Sequence, residues 1–274
     1  MFKGLWYWTG DIDAAIRLAL EMGANTMILK AAYHDPAYRG PVRYRADFAS
    51  NALKCRQAGL LVAAEVYSIP RTCREEAQIL REAIAEGAAS AIVNAEAPHE
   101  DDDGSGVRRL IDAFDDAAPL FACTDFRGDR LRLPYHVELA KVVTGWMPMI
   151  YPYAFYRSDP FGDLQRAFDD VYWRWRDLGP RLPQPGRGAP LYPVLQAYDG
   201  LDYEETLGQA VLAWRWGAAG TSVYASHDVN ERAKWGVRDG WDVVERANAP
   251  ARLTPGEKVR LADAARDAVL AALG

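Results

Sequence analysis

The chain has only three cysteines and four histidines in 274 residues. Cys55, Cys73 and Cys123 cannot all pair within one chain, so disulfides are not the framework of this protein, and a reducing cytoplasm is its expected place of synthesis. His34, His99, His136 and His227 show neither HxH nor HExxH spacing and fall in separate loops, so neither a metal nor a cofactor is expected. A GxSxG elbow is missing, which argues against a serine triad. No Gly-rich phosphate loop follows the first apolar run, which gives way to Thr9-Gly10-Asp11-Ile12-Asp13, and this disfavours a nucleotide fold. Basic residues are spread out rather than clustered, and the net charge of -6 with a pI near 5.3 disfavours nucleic acid as a partner. No apolar run is long enough to span a membrane. The segment from Met1 to Trp8 is too short for the core of a signal peptide.

What the sequence does have is alternation. Short apolar runs bounded by Gly, Pro or Asp recur at Gly4 to Trp8, Thr26 to Ala32, Leu60 to Tyr67, Ser90 to Glu96, Leu120 to Asp125, Met147 to Tyr153, Tyr192 to Tyr198 and Thr221 to Ser226. Helical spacing lies between them. Ile12, Ala15, Ile16 and Ala19 form one stripe, with Asp11 placed to cap it and Gly23 to end it; Ala77, Leu80, Ala83 and Ile84 form another, ended by Gly87. A helix is also read from Tyr203 to Trp216. Strand, helix and strand in regular succession imply parallel strands with crossover helices, and eight such units suit a single (β/α)8 TIM barrel domain over residues 1–274. The Pro- and Gly-rich stretch from Leu178 to Pro190 reads as a loop within that domain, and the acidic stretch from His99 to Gly104 as a solvated loop.

In such a barrel the chemistry sits at the C-terminal strand ends, which are polar here. Asn94 and Glu96 alternate onto one side of their strand, as do Glu65 and Tyr67. Lys30 interrupts an apolar strand, where burial would demand a carboxylate partner, and its charge would then hold a nearby acid ionised. Glu96, Glu65 and Asp199 are the candidate catalytic acids. Asp125 is a weaker candidate, because Arg127 and Arg130 follow it closely. Trp6, Trp8, Tyr67, Tyr151, Tyr153, Tyr198 and Tyr224 lie at or near strand ends, an aromatic lining suited to the apolar faces of sugar rings, with Gln196 among the polar groups. Trp173, Trp175, Trp214 and Trp216 sit at i, i+2 on helices and read as packing.

The succession KGLWYW, TMILKAAY, QAGLLVAAEVY, AIVNAEAP and MPMIYPYAFY resembles the glycoside hydrolase family 25 lysozymes and related lysozyme-like barrels of phages and prophages. The resemblance is diffuse and spans most of the chain. Leu29-Lys30-Ala31 matches the family's Ile-Lys-Ala element. The Asp-x-Glu ending of the fourth strand is matched by Asn94-Ala95-Glu96, and Trp6-Tyr7-Trp8 stands where the family's first strand ends in Asp. The resemblance implies a polysaccharide or oligosaccharide substrate of amino sugars, peptidoglycan or chitin-type, with Glu96 as general acid; the chemistry of glycoside hydrolysis then needs a second group, for which Glu65 and Asp199 are the available carboxylates, with Asn94 and Tyr151 placed to hold an acetamido group. A released or virion-associated protein is the setting it implies. Two other readings stand beside it. One is a barrel without catalysis, serving as a glycan-binding or structural module; the other, weaker, is a sugar isomerase or metal-dependent lyase using Glu65, Glu96 and a loop histidine.

Overall fold

The computed structural model describes residues 1–34, 41–125, 133–151, 190–197, 201–215, 217–224, 227 and 229–248. Its elements are β1 (Phe2–Tyr7), α1 (Ile12–Met22), β2 (Thr26–Lys30), β3 (Ala32–Tyr33), β4 (Arg43–Tyr44), α2 (Phe48–Gln57), β5 (Leu61–Ser68), α3 (Cys73–Ala85), β6 (Ser90–Ala95), α4 (Ser105–Phe114), β7 (Leu120–Asp125), α5 (Pro134–Leu139), β8 (Gly145–Ile150), β9 (Val194–Gln196), α6 (Tyr203–Arg215), β10 (Gly220–Tyr224) and α7 (Glu231–Asn248). Strands β1, β10, β9, β8, β7, β6, β5 and β2 close into a barrel in that order, every neighbouring pair parallel. This is the (β/α)8 barrel expected from the alternation. The sequence pattern did not show the two-residue strands β3 and β4, which pair antiparallel outside the barrel.

Local chemistry sets the helix limits. Asp11 caps α1 by accepting from the Asp13 N–H, and Gly23 ends it with φ 73°, a left-handed conformation that suits glycine. The outer faces of the strands and the inner faces of the helices share one large apolar core, which includes Leu5, Met27, Leu29, Val62, Leu80, Leu110 and Trp241. A second, smaller cluster fills the barrel itself. Trp6, Ile28, Ala63, Ile92, Cys123, Met147 and Val194, each from a different strand, meet there.

That inner cluster fixes which residues can reach a ligand. Side chains two apart on a strand share a face, so Ile28 inside places Lys30 inside, Ala63 places Glu65 and Tyr67, Ile92 places Asn94, and Val194 places Gln196. Toward the N-terminal end, Phe2 and Phe121 close edge-on against Tyr192 at 5.5 and 5.3 Å. Polar groups therefore gather at the other mouth.

Candidate active site

At the C-terminal mouth, Trp6, Tyr7, Trp8, Lys30, Glu65, Tyr67, Asn94 and Tyr224 enclose a cavity of about 60 Å³. Glu65 is the acid among these residues, only 5% exposed. Burial pushes its carboxyl up to about 7; Lys30, the Asn94 amide and Arg45 pull it down, and the charge of Glu96 adds to the rise. Glu65 therefore exchanges its proton near neutrality, the range a general acid or base needs.

Lys30 is half-buried opposite Glu65, its register partner, with Nζ 4.3 Å from the centre of the Trp8 ring. Among the described residues no acid lies within ion-pair distance of Nζ. The sequence reading needs two corrections here. Burial depresses the Lys30 ammonium, and Glu65 and Glu96 offset this only in part; and Lys30 does not hold Glu65 in the ordinary carboxylate range, because desolvation of Glu65 outweighs its pull.

Asn94 lines the same cavity beside Glu65, and its Oδ1 is buried without a hydrogen-bond partner. An unmet buried acceptor costs about 1–3 kcal/mol, so a ligand N–H reaching it would recover that cost. Glu96 is half-buried in extended backbone just past β6, one step beyond Asn94 on the same face, and its charge acts on Glu65, Lys30 and Cys123. It does not form the cavity wall. Just past Glu96 the chain turns at once into a 3-10 helix, Ala97–His99, with Pro98 in its first turn.

The aromatic walls are fixed by their own contacts. Trp6 donates from Nε1 to Ser222 Oγ at 2.9 Å, and Tyr224 stands 6.0 Å from Trp6, 5.9 Å from Trp8 and 6.0 Å from Tyr151. Gln196 is fully buried on the inner face, its main chain clasped by the Gln209 side chain. Asp125 pairs in register with Met149 at the end of β7, and its side chain lies outside the described residues. So do Tyr153, Tyr198 and Asp199.

The sequence reading missed a buried network behind β5 and β6. Ser68 Oγ donates to Glu76 at 2.7 Å and meets His99 Nε2 at 3.0 Å; Thr72 Oγ1 and the Ile69 N–H also donate to Glu76, at 2.7 and 2.9 Å. His99 is therefore no part of a solvated loop. It is fully buried, its imidazole pushed down to about 4 by desolvation, and its N–H bonds the Glu96 carbonyl at 2.9 Å. His34 and His136 are likewise enclosed, with His136 Nε2 2.7 Å from Thr124 Oγ1. Among the described residues no group of three or more metal-binding side chains is placed to hold an ion. All three cysteines are free and buried, and desolvation raises their thiols far above the ordinary range.

No protein-family model and no curated protein sequence matches the chain. Solved structures do. A class V chitinase from Pseudomonas fluorescens is 13% identical with a TM-score of 0.61, covering 88% of this chain and 99% of its own. A chitinase from Chromobacterium violaceum is 13% identical with a TM-score of 0.59 over 88% and 99%. The spore cortex-lytic enzyme SleL of Bacillus cereus is 9% identical with a TM-score of 0.60 over 87% and 74%. At this identity the likeness is one of fold, and it agrees with the barrel. No helix among the described residues is long and apolar enough to cross a membrane.

Proposed function

We propose that this barrel is a glycoside hydrolase-type enzyme acting on amino-sugar polysaccharide, peptidoglycan or chitin-type, with Glu96 as the general acid. The observation that carries this is Glu65, a proton-exchanging acid near neutrality, set with Lys30 and Asn94 in an aromatic-walled cavity beside Glu96. Hydrolysis of a glycoside needs one carboxylic acid to protonate the leaving oxygen and a second group, or the substrate's own acetamide, to meet the developing positive charge. Glu96, half-buried just past the end of β6, takes the role of the acid in this reading. Glu65, coupled to it by charge, sets the proton inventory of the pair, and the open Oδ1 of Asn94 is an acceptor for an acetamido N–H. The named activities of the structural neighbours, chitinase and cortex-lytic enzyme, support the same substrate class. Placement among lysozyme-like barrels belongs to this proposal.

Turnover of peptidoglycan and of N-acetylglucosamine oligomers by the purified protein, Glu96→Gln and Glu65→Gln is the test. Each variant should lose about 10²–10⁴-fold. Equal rates in the wild type and Glu96→Gln would remove the acid assignment.

One observation favours a second reading, a barrel that binds glycan without cleaving it. Asn94, an amide, stands where the lysozyme resemblance has Asp, and an amide cannot supply the charge that an Asp brings to a cationic intermediate. Saccharide binding with no product, together with turnover gained by Asn94→Asp, would establish that reading.

A further inference from the structure

We infer that Tyr33, on the β3–β4 hairpin outside the barrel, is a second sugar-stacking position that receives the glycan chain as it leaves the cavity. The inference rests on the glycan reading above and extends it from a single sugar to a chain.

Tyr33 is 51% exposed, and Trp8, on the cavity wall, is 43% exposed. Scattered exposed aromatics need no explanation. These two differ because one buried side chain holds them both. Arg45, only 5% exposed, reaches Asp47 with Nε and Nη2 at 2.9 and 2.7 Å, donates from Nη1 to the Trp8 carbonyl at 2.7 Å, and lays its guanidinium 4.5 Å from the centre of the Tyr33 ring. The Arg45 N–H is tied in turn to the Ala31 carbonyl at 2.9 Å, one residue beyond Lys30.

The end of β1, the end of β2 and the hairpin are thus fastened at one point. Trp8 has a cation against its ring as well, Lys30 Nζ at 4.3 Å. Each of the two exposed rings has a cation against it, and that contact restrains the ring before a ligand arrives, which lowers the ordering cost of stacking. Trp8 lines the cavity, and Arg45 links Tyr33 to it. The apolar faces of successive sugar rings match two such rings, whereas a phosphate would call for an unpaired positive charge, and the guanidinium of Arg45 is already forked onto the Asp47 carboxylate.

Calorimetric binding in a Glu96→Gln background, where turnover is slowed by the loss proposed above, separates the possibilities. The ligands are two size series, N-acetylglucosamine oligomers from dimer to hexamer and peptide-free peptidoglycan strands of matched length. Tyr33→Ala should weaken the hexamer-length ligand by about tenfold and leave the dimer within about twofold, while Tyr33→Phe keeps wild-type affinity at every length. Tyr33→Ala with unchanged hexamer affinity, or with dimer and hexamer weakened alike, overturns the inference and leaves the cavity assignment standing. No binding of either series by the chain with Tyr33 intact overturns the glycan reading and this inference with it.

Discussion

Lys30 and Glu65 are register partners on adjacent barrel strands, yet their charged ends make no ion pair. Each is desolvated more than the other compensates, so the ammonium is lowered and the carboxyl is raised. Coulomb attraction weakens with distance and with any water in the mouth, while the loss of hydration is paid wherever a wall covers the group. The pair is held in tension by the barrel, and a ligand that displaces water or adds charge would change its protonation.

The first prediction concerns stability against pH. The Glu65 carboxyl moves from 4.5 to about 7 on folding, so the folded state binds the proton more tightly than the unfolded one. Its stability contribution is fully present below pH 4.5 and is lost as pH rises through about 7, a span worth up to roughly 3 kcal/mol. Glu65→Gln should therefore raise the urea midpoint at pH 8 and differ little from the wild type near pH 4, while turnover falls. A variant less stable than the wild type at pH 8 would mean that Glu65 is not desolvated as its burial implies.

The cation beside it supplies a second prediction. Lys30 lowers the Glu65 carboxyl, so Lys30→Met should raise it further, and the limb of the pH–rate profile that reports this group should move to higher pH by about one unit or more. A profile that keeps its shape and only falls in height would assign Lys30 to substrate contact instead.

How far these features could be read from the sequence follows from the range of the interactions. The barrel strands announced themselves, because apolar runs such as Thr26–Lys30 and Ser90–Ala95 are buried on both faces, and burial is written locally. Period two put Glu65 with Tyr67 on one side of its strand, and the structure brings both to the cavity that Asn94 and Lys30 also line. The role of Arg45 was not legible: it follows a two-residue strand with no period, and its partners Trp8 and Tyr33 come from segments far upstream. His99 looked solvated because Glu100, Asp101, Asp102 and Asp103 follow it, whereas its burial is decided by Ser68, on another strand. Charge balance was equally hidden, since the protonation of Glu65 depends on depth, which the sequence does not record.

The Ser68–Glu76–His99 network gives a third prediction. Glu76 is fully buried and accepts from two hydroxyls and one main-chain N–H. Glu76→Ala leaves those donors without a partner and should cost about 3 kcal/mol or more. Glu76→Gln keeps an acceptor and removes the ionisation penalty of a carboxyl raised to about 7, so at pH 8 it should cost far less. Urea unfolding of both variants at that pH is the measurement. Equal losses would show that charge, not acceptor count, makes Glu76 necessary.

The last prediction turns on glycine in a helix, where alanine is normally the better residue by about 1 kcal/mol. Gly236 lies in α7 where that helix packs on α6, and a Cβ there would stand 2.1 Å from the Tyr203 carbonyl oxygen and 2.1 Å from Thr206 Oγ1. The carbonyl belongs to the main chain of the first turn of α6, so it cannot turn away. Thr206 is buried and already donates to the Asp202 carbonyl at 2.8 Å. Making room means moving one helix off the other, and overpacking of this kind costs about 1–3 kcal/mol, more than propensity returns. Gly236→Ala should lower the melting temperature, and Gly240→Ala should lower it less, because its Cβ would stand 2.7 Å from the Ala210 methyl and 3.3 Å from the Leu207 carbonyl oxygen, a smaller overlap than 2.1 Å. A melting temperature unchanged by Gly236→Ala would mean that the two helices already stand further apart than this packing places them.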